Sequence, residues 1–166
     1  MRMKVKNAVA VVLAIFTVVA NAAPSVSRSV PKGWMEDVAK AREKAESEGK
    51  LVFMAFSGSD WCGYCVRMDA EVFSQSAFVK RASKKYVLVM IDHPKDRKRL
   101  SNLAAKQNPE LLQKYSISGF PSMVITDSKG EVVRRIGGYT QGGPNAFLKK
   151  LDETMSGVEW PKPPAK

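Results

Sequence analysis

Continuous apolar runs and segments with helical spacing alternate along the chain. The segments 50–56 and 86–92 are apolar except for Lys50 and Asp92 at their ends, too short for typical helices and bounded by polar or turn-forming residues, which is typical of buried strands. A third predicted strand, 117–126, has a proline near its start, and 131–136 follows the turn at 127–130. These last two segments are predicted to pair as an antiparallel hairpin.

The segments between the strands have apolar residues every three to four positions, which predicts amphipathic helices. Ser59 or Asp60 is expected to cap the helix that contains the first cysteine. Asn108-Pro109 is expected to interrupt the helical pattern, because proline removes a backbone donor. The predicted helices cover residues 34–48, 62–72, 77–85, 97–108, 110–115 and 144–155.

The first 22 residues have the features of an export signal. Basic residues precede an apolar run of 13 residues over 8–20, and Ala20-Asn21-Ala22 has the small-x-small form of a cleavage site. A run of this length is shorter than the roughly 20 residues that span a bilayer, so a retained anchor is the weaker alternative. We predict a signal peptide that is cleaved near Ala22, and a mature protein that is periplasmic or secreted.

The composition is that of one globular domain. The chain has 166 residues, 45% of them hydrophobic and 26% charged, which is enough for one full hydrophobic core. The predicted organisation is a signal peptide at 1–22, an irregular leader at 23–33, a folded domain at 34–156 and a proline-rich flexible tail at 157–166.

The chain is basic, with a formal net charge of +11. A basic surface favours acidic clients or an anionic membrane face, and an ordinary solvated surface is the alternative. The densest basic cluster, residues 95–99, follows His93-Pro94 and has no interleaved aromatic residues. The sequence contains no nucleic-acid-binding motif, so no nucleic-acid partner is predicted.

The two cysteines of the chain, Cys62 and Cys65, are separated by Gly63 and Tyr64 directly after the first predicted strand. The C-x-x-C spacing predicts a reversible disulfide. Cys62 is placed at a helix N-terminus, where unpaired amides and the helix dipole favour a thiolate. We predict that Cys62 forms a mixed disulfide with a protein client and that Cys65 resolves it, with Gly63 and Tyr64 tuning the geometry and potential.

Three other uses of the cysteine pair are less consistent with the sequence. Structural zinc requires about four ligands, and the single histidine, His93, is distant along the chain. Covalent haem attachment requires histidine after the second cysteine, where the chain has Val66. A structural disulfide over so short a loop would restrain the unfolded chain little. No metal and no cofactor other than the redox-active disulfide is predicted.

The segment Trp61-Cys62-Gly63-Tyr64-Cys65 after one strand, followed by Gly119-Phe120-Pro121 before another, resembles the thioredoxin superfamily over about residues 34–156. The run that starts at Gly58 is similar to exported bacterial thioredoxin-like proteins. The resemblance implies an α/β fold with a mixed central β-sheet flanked by helices on both faces. It also implies a cis peptide bond before Pro121, beside the cysteines.

The same resemblance implies client-binding residues around the cysteines. Trp61 is expected to lie beside the nucleophile, and the backbone of Phe120 to pair with an extended client segment next to Pro121. Tyr64 is expected to be at the surface and available to a client. Trp34 and Trp160 are expected to be packing residues.

The sequence departs from the superfamily pattern in the proton relay. The usual buried aspartate and its associated lysine correspond to Ala55 and Leu88. The resolving cysteine therefore lacks its usual proton acceptor. Asp60, Asp69, Glu71 and water are the alternatives, and the sequence does not discriminate between them.

Together these features predict an exported thiol-disulfide oxidoreductase that acts on protein thiol or disulfide clients. Gly63-Tyr64 is similar to the dipeptide of bacterial periplasmic disulfide isomerases, and reduction or isomerisation is favoured over oxidation. A membrane or soluble redox partner is expected to reset the cysteine pair. A redox-inert thioredoxin-fold binding or chaperone module, or a copper-handling protein that uses the thiols with Met68, is the alternative.

Overall fold

The computed structural model describes residues 30–164, so the predicted signal peptide lies outside the described residues. The described chain forms five α-helices and four β-strands. The helices are Val38–Glu48 (α1), Gly63–Met68 (α2), Ser76–Ala82 (α3), Asn102–Lys114 (α4) and Gly143–Thr154 (α5). The strands are Leu51–Ser57 (β1), Tyr86–Asp92 (β2), Ser122–Thr126 (β3) and Val132–Gly137 (β4).

The four strands form one mixed sheet in the order β2-β1-β3-β4. Strand β1 pairs in parallel with β2 and antiparallel with β3, and β3 pairs antiparallel with β4. All seven residues of β1 are buried, because two separate apolar clusters cover the two faces of the sheet. The predicted fold class and the hairpin are confirmed.

One edge of the sheet collects four chain segments. The carboxyl ends of β1, β2 and β4 lie at the same edge as the amino end of β3, because β3 runs opposite to its two neighbours. The cysteine motif follows β1, the 93–99 segment follows β2, Phe120-Pro121 precedes β3 and Tyr139 follows β4. Residues far apart in sequence are therefore brought together beside the motif, which we call the motif edge of the sheet.

Helix α1 begins at Val38 rather than at Trp34 as predicted. The Asp37 side chain caps the helix by accepting a hydrogen bond from the Lys40 amide at 3.1 Å, which satisfies a free donor of the first turn. Trp34 lies before the helix, is buried, and donates its indole N–H to the Phe73 carbonyl at 3.0 Å. Trp34 is thus a packing residue, as predicted.

The predicted interruption at Asn108-Pro109 is wrong, because α4 continues through Pro109 to Lys114. Proline leaves the carbonyl four residues earlier without its helical donor. That carbonyl, on Ala105, accepts a hydrogen bond from the Arg97 guanidinium at 3.1 Å. An external donor therefore replaces the missing backbone bond and lets the helix continue.

Three further elements differ from prediction. The helix that follows the motif changes after Met68 into a π-helical turn, Asp69–Phe73. The predicted helix at 97–108 is divided into a short 3₁₀ turn, Arg97–Arg99, and the start of α4, where the Ser101 hydroxyl accepts from the Ala104 amide at 3.0 Å. Strand β3 also starts later than predicted, at Ser122.

The segment after α5 lies partly against the core. The Trp160 ring contacts the Tyr86 ring at 5.4 Å between centroids, with the Lys85 ammonium 5.2 Å from the Trp160 ring. Trp160 is therefore a packing residue, as expected, while the domain limits and the flexibility of the tail stay predictions. Between residues 30 and 164, no helix combines the length and the apolar character that crossing a bilayer requires.

Candidate active site

The two cysteines differ in position at the start of α2. Cys62 is the N-cap residue, and its Sγ accepts a hydrogen bond from the Cys65 amide at 3.2 Å. The two sulfurs form a disulfide, with Cα atoms 5.2 Å apart. Cys62 retains 8% of its surface and Cys65 only 2%. The first cysteine is thus the one nearer to solvent, and its sulfur accepts a hydrogen bond from an amide of the first helical turn.

The predicted capping role of Ser59 and Asp60 is wrong, since the cap is Cys62 itself. Ser59 donates its amide and its hydroxyl to the Asp92 carboxylate at 2.9 and 2.5 Å. The Asp60 carboxylate accepts from the amides of Lys95 and Asp96 at 2.9 and 3.0 Å. Both residues therefore fasten the motif to the end of β2 rather than to the helix.

Trp61, which directly precedes Cys62, is held on three sides. Its indole N–H donates to the His93 carbonyl at 2.8 Å, and its ring meets the Phe120 ring edge-on at 5.5 Å between centroids. A Cβ added at Gly58 would lie 2.4 Å from the indole, so this position requires glycine. The indole remains 43% exposed, which leaves part of it open to another molecule.

The Phe120-Pro121 peptide bond is cis, as the superfamily resemblance implied. The Phe120 ring also contacts the His93 ring at 5.8 Å. His93 is distant from the motif only in sequence, because β2 ends at the motif edge. Burial lowers the pKa of His93, and its Nε2 has no hydrogen-bond partner among the described residues.

Tyr64 is exposed, as predicted, and stacks on Tyr139 with ring centroids 5.7 Å apart. The Tyr139 hydroxyl donates to the Glu71 carboxylate and accepts from Arg67 at 3.0 Å. Arg67 also donates to Glu71 at 3.0 Å and lies 4.6 Å from the centre of the Tyr139 ring. This group is named the tyrosine cluster and comprises Tyr64, Arg67, Glu71 and Tyr139.

Sequence reasoning missed Arg67, Tyr139 and the role of His93 at the motif edge. Arg67 and Glu71 have the i, i+4 spacing of a helical ion pair, which is a usable signal. Tyr139 follows two glycines in a connection, and no local pattern marks it. Its contact with Arg67 joins residues 72 positions apart in the chain.

Tyr139→Phe is expected to raise the pKa of Glu71 towards its ordinary value of 4.5. The hydrogen bond from Tyr139, followed by that from Arg67, is what lowers the pKa of this carboxyl. A lowered pKa contributes stability above the unfolded-state value, and this contribution is lost as the pH falls through the folded-state value. An NMR titration of the Glu71 carboxyl measures the shift.

Tyr115→Phe is the matched control, because it removes a phenol hydroxyl that is bound elsewhere, to the Gly130 carbonyl. The control is expected to leave the Glu71 titration unchanged. Equal titration curves for Tyr139→Phe and the wild type would contradict the proposed cause of the shift.

The positions of the usual proton relay hold apolar side chains in the core, since Ala55 and Leu88 are each 1% exposed. Of the predicted alternatives, Asp60 and Glu71 are weakened as bases. Their pKa values are lowered, first by the Asp96 amide for Asp60 and first by the Tyr139 hydroxyl for Glu71. Asp69 lies one turn after Cys65 and lines a cavity of about 30 Å³ together with Ser57, Asp92 and other residues.

This cavity is large enough to hold a water molecule. The identity of the proton acceptor stays a prediction. Within residues 30–164, no group of three or more histidine, cysteine, aspartate or glutamate side chains is arranged to hold a metal ion.

Comparisons with known proteins identify the same fold and chemistry. The profile of the thioredoxin-like domain family matches residues 38–154. Disulfide bond reductase DsbH of Chlamydia pneumoniae is 30% identical over 120 residues, which are 72% of this chain and 71% of that protein. Thioredoxin-related protein DsbJ of Chlamydia pneumoniae is 31% identical over 106 residues, which cover 64% of this chain but only 30% of that protein.

A solved structure of a DsbH oxidoreductase superposes with a TM-score of 0.68 at 26% identity, covering 84% of this chain and 94% of the other. This chain carries a C-x-x-C pair, Cys62 and Cys65, which forms a disulfide at the motif edge of its sheet. The chain therefore belongs to the thioredoxin-like family and is a thiol-disulfide oxidoreductase.

Proposed function

We propose that the protein is an exported reductase of protein disulfides. The observation that carries this direction is the match to a disulfide bond reductase over 72% of this chain and 71% of the relative. The asymmetry of the cysteine pair is consistent with it, because the nucleophile is the better exposed of the two sulfurs.

In the proposed reaction, the thiolate of reduced Cys62 attacks one sulfur of a client disulfide. The client sulfur that leaves takes up a proton, and a mixed disulfide joins the client to Cys62. Cys65 then loses its proton and attacks Cys62, which releases the second client thiol and closes the Cys62–Cys65 disulfide. Two electrons pass from the cysteine pair to the client.

The position of Cys62 favours its thiolate in the reduced protein. The Cys65 amide, which donates to Cys62 Sγ at 3.2 Å, is available to a negative sulfur at the same place. A hydrogen bond to the charged form stabilises that form. Cys65 is nearly inaccessible, so it reacts within the protein rather than with clients.

The residues around Cys62 are proposed to hold the client. The exposed faces of Trp61 and Tyr64 offer apolar surface on either side of the nucleophile. The backbone of Phe120, before Pro121, is available to pair with an extended client segment, and Gly63 presents no side chain.

We also propose that the protein is exported and that a redox partner reduces its cysteine pair again after each turnover. The basic start, apolar run and small-x-small site at 1–22 support secretion. Each turnover leaves the Cys62–Cys65 pair oxidised, so a membrane or soluble reductant must return two electrons before the next one.

Reduction of insulin by the purified protein tests the activity, and equilibration with glutathione tests its direction. We expect the protein to catalyse insulin reduction. We expect the reduction potential of the Cys62–Cys65 pair to lie nearer to that of thioredoxin, about −270 mV, than to that of DsbA, about −120 mV. A reduction potential close to about −120 mV, together with oxidation of reduced clients, would show that the protein is an oxidase and not a reductase. Absence of any thiol-disulfide exchange would contradict the catalytic proposal altogether.

A further inference from the structure

The segment Lys95–Arg99, named here the basic loop, lies at the motif edge without a role in the chemistry described above. It carries four cationic side chains and one carboxylate in five residues. Lys95, Asp96, Arg97 and Lys98 are all exposed. Exposed positive charge next to a reactive sulfur is available to bind negatively charged groups of a client.

The basic loop is fixed to the cysteine motif. Asp60 accepts hydrogen bonds from two consecutive amides of the loop, those of Lys95 and Asp96. The Arg99 guanidinium lies 3.7 Å from the same carboxylate. The Asp96 side chain accepts from the Lys98 amide at 3.1 Å and closes the turn. The loop is therefore held in one geometry, not merely tethered at its ends.

The four cationic side chains of the loop differ in whether they have a bonding partner. Arg97 donates to the Ala105 carbonyl, and Arg99 is paired with Asp60, so both have structural partners. Lys95 and Lys98 form no ion pair or side-chain hydrogen bond with any described residue. Their ammonium groups are the loop's free positive charges.

The loop is close enough to the nucleophile to act on a bound client. Asp60 is two residues from Cys62, and two residues span at most about 7 Å of extended chain. A client segment of a few residues beside its disulfide therefore reaches the loop, and carboxylates within the Debye length of about 8 Å of the Lys95 and Lys98 ammonium groups would interact with them without complete screening.

We propose that the basic loop docks an acidic polypeptide segment that flanks the disulfide of the client, through Lys95 and Lys98. This inference rests on the proposed reductase function and adds a client preference to it. The carboxylates pair with the two ammonium groups while Cys62 attacks the neighbouring disulfide. Complementary charge of this kind accelerates association more than it tightens the final complex.

The test compares two peptides that contain the same internal disulfide, flanked either by glutamates or by glutamines. The reduced protein is mixed with each peptide, and the second-order rate constant of peptide reduction is measured at low and at high salt. We expect the wild type to reduce the acidic peptide roughly 10-fold faster at low salt, with the preference lost when salt shortens the screening length to about 3 Å.

The Lys95→Gln/Lys98→Gln variant is expected to lose most of this preference. Lys80→Gln/Lys84→Gln is the matched control, because it removes the same charge from exposed residues near the amino end of β2. The seven residues of that strand separate the control site from the motif edge by about 23 Å. The control is expected to retain the preference.

Reduction of bis(2-hydroxyethyl) disulfide, which is small and uncharged, separates this proposal from the proposed function. Equal rates for all three proteins show that the cysteine site is intact, whereas no reduction by the wild type means that the reductase function itself fails. If Lys95→Gln/Lys98→Gln keeps the same preference for the acidic peptide as the control variant, docking at the basic loop is overturned. If that variant keeps the peptide preference but no longer binds phosphatidylglycerol vesicles, the loop is assigned to a membrane surface instead.

Discussion

Replacing Cys62 by serine is expected to lower the rate of insulin reduction by roughly 10³-fold or more, as when other enzymes lose their nucleophile. A serine hydroxyl is almost wholly protonated at neutral pH and forms no stable bond with a client sulfur, whereas exchange requires a thiolate. The remaining cysteine, Cys65, is only 2% exposed and cannot substitute. Insulin turbidity under a defined reductant measures the loss.

Cys65→Ser separates the roles of the two cysteines. This variant keeps the attacking sulfur but cannot complete the second step, so the client is expected to remain bound to Cys62 as a mixed disulfide. Non-reducing electrophoresis and intact mass detect the adduct, which dithiothreitol should release. Tyr64→Phe, which retains both cysteines, should turn over without accumulating adduct. Adduct on Cys65 in the Cys62→Ser protein, with none in the reciprocal variant, would reverse the assignment.

Phe53→Ala is expected to lower the free energy of unfolding by about 3–5 kcal/mol, the range for truncating a buried aromatic residue. Phe53 is fully buried on β1, at the centre of one face of the sheet. Its ring contacts five aromatic rings at centroid distances of 5.9 to 6.2 Å, on Trp34, Phe73, Phe78, Tyr86 and Phe147. Truncation removes apolar contact and leaves a void that these neighbours fill only in part.

Guanidinium unfolding of the oxidised protein at 25 °C measures this change. Leu103→Ala is the control, because Leu103 is an apolar side chain on α4 that is 42% exposed, and its loss is expected to change stability within about 0.5 kcal/mol. Phe53→Leu should fall between the two, since it retains most of the buried volume. A loss below about 1.5 kcal/mol for Phe53→Ala would show that the aromatic cluster rearranges to close the void.

The secondary structure was predictable where the signal is local. The buried strands β1 and β2 are continuous apolar runs in the sequence, and both appear close to the predicted positions. The continuation of α4 through Pro109 was not predictable, because the compensating donor is the side chain of Arg97, outside the helix. The cap of α2 was misassigned because Ser59 and Asp60 find partners after β2 rather than in their own helix.

The candidate site was predictable in its chemistry but not in its surroundings. The spacing of Cys62 and Cys65 predicts a redox-active pair, and the resemblance to the thioredoxin superfamily implied the cis peptide bond before Pro121 that the structure contains. The proton acceptor was not predictable, because the sequence does not discriminate between the four alternatives. Only their hydrogen bonds show that Asp60 and Glu71 are already stabilised as anions.

By itself, the sequence determined the fold class, the buried strands and the reactive cysteine pair. The strands and the cysteine pair depend on periodicity and spacing among residues that are near one another in the chain, whereas the fold class follows from the resemblance to the thioredoxin superfamily. The tertiary structure alone decided that His93, Tyr139 and the basic loop stand beside that pair. Trp61 reaches His93 across 32 positions and Arg67 reaches Tyr139 across 72, because the order and direction of the four strands place their connections at one edge of the sheet.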